Sequence, residues 1–138
     1  MIDRRDERGV AHHHYLSYTP QRPVHYSQPY ALPGDSVFSR PGLQVIDIET
    51  KSNVRVEFGP QVTRASFGGS SVDSTWTDDS RAFYVNYGTR ASKATFLAEI
   101  DAATGAIETL AADSSQTFVE TNQRDPISWY VTRDENDV

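Results

Sequence analysis

Hydrophobic and polar residues alternate along much of this chain with the period of β-strands. In "VRVEF", Val54, Val56 and Phe58 share one face while Arg55 and Glu57 take the other. The apolar stretch "GLQVIDI" precedes it across an Asp-initiated turn, so the pair reads as a hairpin. "SVDSTWTDDSRAFYVNYG" repeats the device, with a strand ending at Trp76, a turn at Asp78, Asp79 and Ser80, and a strand from Ala82 to Tyr87. "ATFLAEID", the turn "AATG" and "AIETLA" follow as two further strands. The alanine and leucine content of residues 93–113 would permit a helix, but Gly105 interrupts it and Asp-x-x-Thr-Gly is a turn spacing. Upstream, "AHHHYLSY" reads as a strand with His12, His14 and Leu16 on one side and His13, Tyr15 and Ser17 on the other. "RPVHYSQPYALPGDSV", broken by Pro23, Pro29 and Pro33, reads as loop or edge.

The pattern repeats at long range. Leu43, Ile46, Asp47 and Thr50 answer Leu97, Ile100, Asp101 and Thr104 at a constant offset of 54 residues. A four-stranded antiparallel unit recurring at about 40 to 50 residues is the spacing of a β-propeller blade. Asp47 and Asp101 each suit a turn in which the carboxylate accepts from backbone N–H groups two residues on, and Gly105 takes a left-handed conformation without steric cost. Lys51 stands where Gly105 does, which makes the first copy the less ideal one. A third copy starts at "TFVETN", and "ISWYVTRDE" corresponds to "AFYVNYGTR". The expected fold is therefore all-β: an incomplete β-propeller built of four-stranded antiparallel blades. Residues 1–66 are read as the tail of one blade with connecting loops, 67–113 as one complete blade and 114–138 as the first half of the next.

Composition narrows the function classes. A chain of 138 residues with 37% hydrophobic and 11% aromatic residues suits a folded domain. Its net charge of -6 repels phosphate backbones and argues against nucleic acid as partner. No apolar run approaches the roughly 18 to 20 residues of a membrane helix, and the charged opening "MIDRRDERGV" is no signal peptide, so no membrane partner is expected. The absence of cysteine fits cytoplasm and periplasm alike.

Candidate chemistry is sparse. His12, His13 and His14 invite a metal reading because alternate strand residues share a face, but the sequence offers no third ligand nearby and His25 reads as a surface residue. No metal or other cofactor is expected. Asp78 and Asp79, adjacent in a tight turn, point apart into solvent and make a poor acid–base pair. "FGGSSVDS" lacks the lysine of a phosphate loop and the Gly-x-Ser-x-Gly spacing of a nucleophile elbow, and reads as a connector between blades. Every histidine lies within the first 25 residues, so no Ser, Asp and His constellation stands in hydrolase order. Trp76, Phe83, Tyr84 and Tyr87 read as packing between blades rather than a stacking platform for ligands.

Taken together, "RPVHYSQPYALPGD", the strand ending in Ile-Asp-x-x-Thr, "STWTDDSRAFYVNYGTRASKATFLAEIDAATGAIETL" and "TFVETN" with "ISWYVTRDE" resemble the N-terminal β-propeller domain of the dipeptidyl peptidase IV family of serine peptidases. The most specific part is the stretch carrying Tyr26, Pro29, Tyr30, Pro33, Gly34 and Asp35. The resemblance implies an eight-bladed propeller over an α/β-hydrolase domain that removes N-terminal dipeptides, with propeller carboxylates holding the substrate's free amine by charge-assisted hydrogen bonds. In the family, that glutamate pair precedes the matching stretch and the catalytic triad follows it, so this chain is expected to carry neither, and the catalytic domain is absent from it. "DRRDERGV" resembles the end of a preceding blade, which suggests a start within a longer sequence. Thr132 to Asn136 depart from the Glu-Arg-Asp-Gly-Trp common in relatives. The segment "TFVETN" runs toward the inner mouth of the propeller in the family, which makes Glu120 and Asn122 the candidates for lining the substrate cavity; the alternative is that they are ordinary loop residues. Peptide substrate is thus the expected partner within a parent enzyme. The competing reading is a β-rich binding or scaffold protein that completes its core as a homo-oligomer by covering open strand edges.

Overall fold

The computed structural model describes residues 2–19, 21–67 and 76–119. These residues form nine strands and no helix: β1 (Ile2–Asp6), β2 (His12–Ser17), β3 (Val24–Pro29), β4 (Arg40–Ile46), β5 (Asn53–Val56), β6 (Val62–Phe67), β7 (Ala82–Thr89), β8 (Ala94–Asp101) and β9 (Ile107–Ser114). All pairing is antiparallel, in a three-stranded sheet ordered β1-β4-β5, a two-stranded sheet β2-β3 and a four-stranded sheet β6-β7-β8-β9.

The four-stranded sheet is a meander in which each strand pairs with its sequence neighbour, as short turns require. Its inner face follows from period two. Phe83 and Val85 on β7 stand opposite Ile100 and Ala98 on β8, so all four project to the same side. They meet Leu43, Val45 and Val56 from β4 and β5, and these seven residues form one buried cluster between two sheets. Phe83, Ala98 and Ile100 are fully buried, and Leu43, Val56 and Val85 retain only 1% of their surface. Each large side chain so buried contributes roughly 1.5 to 3 kcal/mol of transfer free energy. Tyr87 extends the layer, stacking on its cross-strand partner Phe96 at 4.7 Å and tilting against Phe58 at 5.6 Å. Trp76 closes the other end against Phe83 at 4.9 Å. The aromatics expected to pack between blades do so at Trp76, Phe83 and Tyr87.

The hairpin of β4 and β5, the strand from Ala82 and the hairpin of β8 and β9 are where the alternation puts them. Between β8 and β9 the register shifts at Leu97 and Ala98, leaving Leu110 unpaired and half-exposed. Pro41 sits within β4 beyond the end of β5, paired among the described residues with Arg5 of β1 alone, so its missing N–H breaks no bond to a second strand.

One expectation changes, and one pair of alternatives resolves. The first strand of the four-stranded sheet is Val62–Phe67, paired to residues 85–89 of β7, whereas Trp76 makes only an isolated bridge to Phe83. A register shift between Val62 and Arg64 breaks the period of two, which hides this strand in the sequence. Of the two readings of residues 24–29, loop or edge, the structure takes the edge: they form β3 and pair with the whole of β2, from Ser17↔Val24 to His12↔Pro29. Proline did not prevent this, because Pro23 lies outside the strand and Pro29 is its last residue. No helix among the described residues is long and apolar enough to cross a membrane.

Candidate functional site

Turns gather at both ends of the four-stranded sheet. At one end lie the turns opened by Asp47 and Asp101, together with residues 77–81. Asp47 Oδ1 accepts from the N–H groups of Glu49 (2.8 Å) and Thr50 (2.9 Å). Asp101 Oδ1 accepts from the N–H groups of Ala103 (3.1 Å) and Thr104 (2.7 Å) and from the Thr104 hydroxyl (2.6 Å). The same strand-closing bond follows in each, from Asp47 N–H to Ser52 O and from Asp101 N–H to Ala106 O. Lys51 and Gly105 occupy equivalent left-handed positions, at φ 59° and 74°. The two copies found in the sequence are therefore the same turn in three dimensions. They differ in surroundings, since a Cβ on Gly105 would stand 2.9 Å from the carbonyl oxygen of Arg55, on the neighbouring sheet.

These carboxylates hold backbone. The N–H of Thr50, then that of Glu49, lowers Asp47 below the usual carboxylate range, and the Thr104 hydroxyl followed by its N–H does the same for Asp101. Asp79 is lowered from 3.8 to about 2, first by the Arg81 N–H, then by the Thr77 hydroxyl and the Arg81 guanidinium. A carboxylate held ionised in this way cannot serve as a general acid near neutrality. Asp79 caps the turn into β7, and the acid–base reading of Asp78 and Asp79 gains no support.

At the opposite end, three loops converge on Arg90. Its guanidinium donates to the carbonyl oxygens of Asp35 and, at 2.6 Å, Leu32, and lies 4.5 Å over the Phe38 ring. The Leu32-Pro33-Gly34-Asp35 stretch closes as a β-turn, with Asp35 N–H donating to Leu32 O (3.1 Å) and Gly34 at φ 97°. Proline suits the second position of such a turn and glycine the third. The Asp35 carboxylate accepts from Leu32 N–H at 2.7 Å. The Pro-Gly-Asp motif thus builds a rigid turn that presents two carbonyls to Arg90. On the other side, Val119 is buried and its N–H donates to Ser92 O at 2.7 Å. This anchors the chain immediately before Glu120. Glu120 and Asn122 themselves lie outside the described residues, as does "GGSSVDS".

The histidines fall on the β2–β3 hairpin, which lies outside the buried cluster with nearly every residue exposed. His12 Nδ1 lies 2.8 Å from Ser27 Oγ, and His14 Nδ1 lies 3.1 Å from His25 Nε2. The Ser27–His12 contact is a serine–histidine pair on an open surface, without the water-excluding walls and oriented donors that acyl transfer needs. Sequence reading missed these contacts because they depend on β3. It also missed Arg90, whose carbonyl partners lie more than 50 residues upstream with no local signal to link them.

Two sheets face to face across one apolar layer, each closed at the same end by the same Asp turn, define an open and incomplete β-propeller. The chain belongs to the family of the dipeptidyl peptidase IV N-terminal region, whose model matches residues 3–137. Among solved structures it is similar to a protein from Bacteroides ovatus ATCC 8483 provisionally assigned as a dipeptidyl aminopeptidase IV, at 19% identity and a TM-score of 0.62. That match covers 90% of this chain and 16% of the Bacteroides chain. No match was found among curated proteins.

Proposed function

We propose that this chain is a propeller segment of a dipeptidyl peptidase IV-like serine exopeptidase, where it gates and orients peptides for removal of N-terminal dipeptides. The observation that carries the reading is the family match over 3–137 on a chain whose core is shared between two blade-like sheets. Peptide bond cleavage belongs, in this reading, to a separate α/β-hydrolase domain. The blade division follows the repeat: 1–66 as blade tail and connecting loops, 67–113 as the complete blade and 114–138 as the first half of the next. Val62–Phe67, from the end of the first segment, supplies the remaining strand of the complete blade. Glu120 and Asn122 line the substrate cavity in this reading, and the Val119 anchor favours it by fixing where the segment starts.

Assay of the purified chain on a dipeptidyl chromogenic substrate is expected to give no turnover above buffer. Turnover abolished by a serine-directed inhibitor would overturn the assignment of cleavage to another domain. A second reading, a scaffold that completes its core by self-association, draws on the exposed Tyr15, Leu16, Tyr26 and Tyr30. A discrete closed oligomer in sedimentation velocity would favour it over the peptidase segment.

A further inference from the structure

The pairing of β2 with β3 changes what the histidines can do. His12 and His14 share one face of β2, and the register places His25 on the same face of β3, diagonal to His14. The sequence offered two imidazoles on a strand; the hairpin adds a third from across the sheet. His14 and His25 bring Nδ1 and Nε2 to 3.1 Å, with rings parallel within 4°. Two imidazole nitrogens bound to one late transition metal at 2.0 to 2.1 Å stand about 2.9 Å apart at a right angle and about 3.3 Å apart at the tetrahedral angle. The observed separation falls between the two. His12 lies along the same face, its ring 6.3 Å from that of His14, and its Nδ1 is engaged by Ser27 Oγ. In the tautomer whose Nδ1–H donates to that hydroxyl, Nε2 is left unprotonated and free to ligate, as supporting partners arrange in metal sites. Among the described residues no three metal-ligating side chains already converge on a point, so the preformed element is the pair.

We propose that His14 and His25 form a two-imidazole chelate for a late first-row divalent ion, Cu2+ before Zn2+, with water completing the coordination and His12 as an auxiliary ligand. Imidazole suits these metals, and the order of their affinities for nitrogen sites puts Cu2+ highest. In the 3.1 Å contact an N–H of one ring donates a hydrogen bond to the bare nitrogen of the other. Binding requires the donor ring to carry that proton on its far nitrogen instead, a tautomer change that leaves both rings neutral. The ion would then tie β2 to β3 on a hairpin that otherwise has little burial to hold it.

Titration of the full chain with Cu2+, and separately with Zn2+, followed by calorimetry and by paramagnetic resonance of the Cu2+ complex, tests this. The expected result is one saturable site per chain with nitrogen couplings from imidazole. His14→Ala and His25→Ala should each weaken binding at least tenfold, and His12→Ala should weaken it less. His13→Ala, on the opposite face beside Tyr15 and Tyr30, should leave it unchanged. All four positions are exposed and lie outside the core cluster, so the circular dichroism of the variants should match the parent. Absence of saturable binding, an affinity that His25→Ala leaves intact, or a stoichiometry of one ion to two chains would overturn the intrachain chelate.

Discussion

The four-stranded sheet and the β2–β3 hairpin are both antiparallel ladders with alternating sequences, yet one buries its face and the other does not. In β7 and β8, residues at every second position disappear into a layer shared with β4 and β5. In the hairpin, Tyr15, Leu16, Val24 and Tyr26 remain 40 to 50% exposed although they sit in full register. Both ladders are antiparallel; what differs is whether, among the described residues, a second sheet lies opposite. Pairing positions side chains, and burial against another layer supplies most of the free energy that keeps them there.

The sharpest way to break this contrast is to truncate one aromatic from each region. Phe83→Ala, in the shared core, should cost about 3 to 5 kcal/mol in denaturant unfolding, whereas Tyr26→Ala on the hairpin should stay within about 0.5 kcal/mol. Equal losses would mean that the hairpin is packed against something after all.

Smaller effects are expected at the repeated turns. Gly105→Ala adds a side chain to a left-handed position and drives its Cβ toward the Arg55 carbonyl, and should cost about 1 to 3 kcal/mol. Lys51→Gly, at the matching position of the other copy, relieves left-handed strain and should gain about 0.5 to 1 kcal/mol after the entropy of glycine is counted. Thermal melts of the two variants should move in opposite directions. The acid response sharpens the comparison further. Asp47, Asp79 and Asp101 are all lowered in the folded state, so their contribution is complete above the ordinary carboxylate value of 3.8 and is lost as pH falls through the folded values. The melting temperature should be flat from neutrality down to about pH 5 and fall below about pH 4. Asp101→Asn should flatten that acid limb in part, and an unchanged limb would show that the turn carboxylates do not contribute to it.

Much of this was legible in the sequence. The Asp turns were readable because their spacing, side-chain chemistry and glycine are all local. So were strands β7 and β8 themselves, bounded by those turns, though the aromatics grouped as packing residues included Tyr84, which the period of two sets on the face opposite Phe83. β6 was hidden by its register shift, and β3 stood open between loop and edge because of prolines that fall at its margins. The Arg90 junction and the His14–His25 pair depend on contacts between segments distant in sequence or on a strand whose pairing partner the sequence did not indicate, and neither leaves a local pattern. The candidates Glu120 and Asn122 rested on family resemblance alone, and only the anchor before them is visible.

One common apolar layer holds the two sheets together as neighbouring blades. Native-state hydrogen exchange on Leu43→Ala tests it directly, since Leu43 belongs to β4 while most of the cluster belongs to β7 and β8. The prediction is that amides of β7 and β8 lose protection together with those of β4 and β5, by the equivalent of about 2 to 5 kcal/mol. If β7 and β8 keep their full protection while only β4 and β5 exchange faster, the sheets are independent units and the shared-core account is wrong.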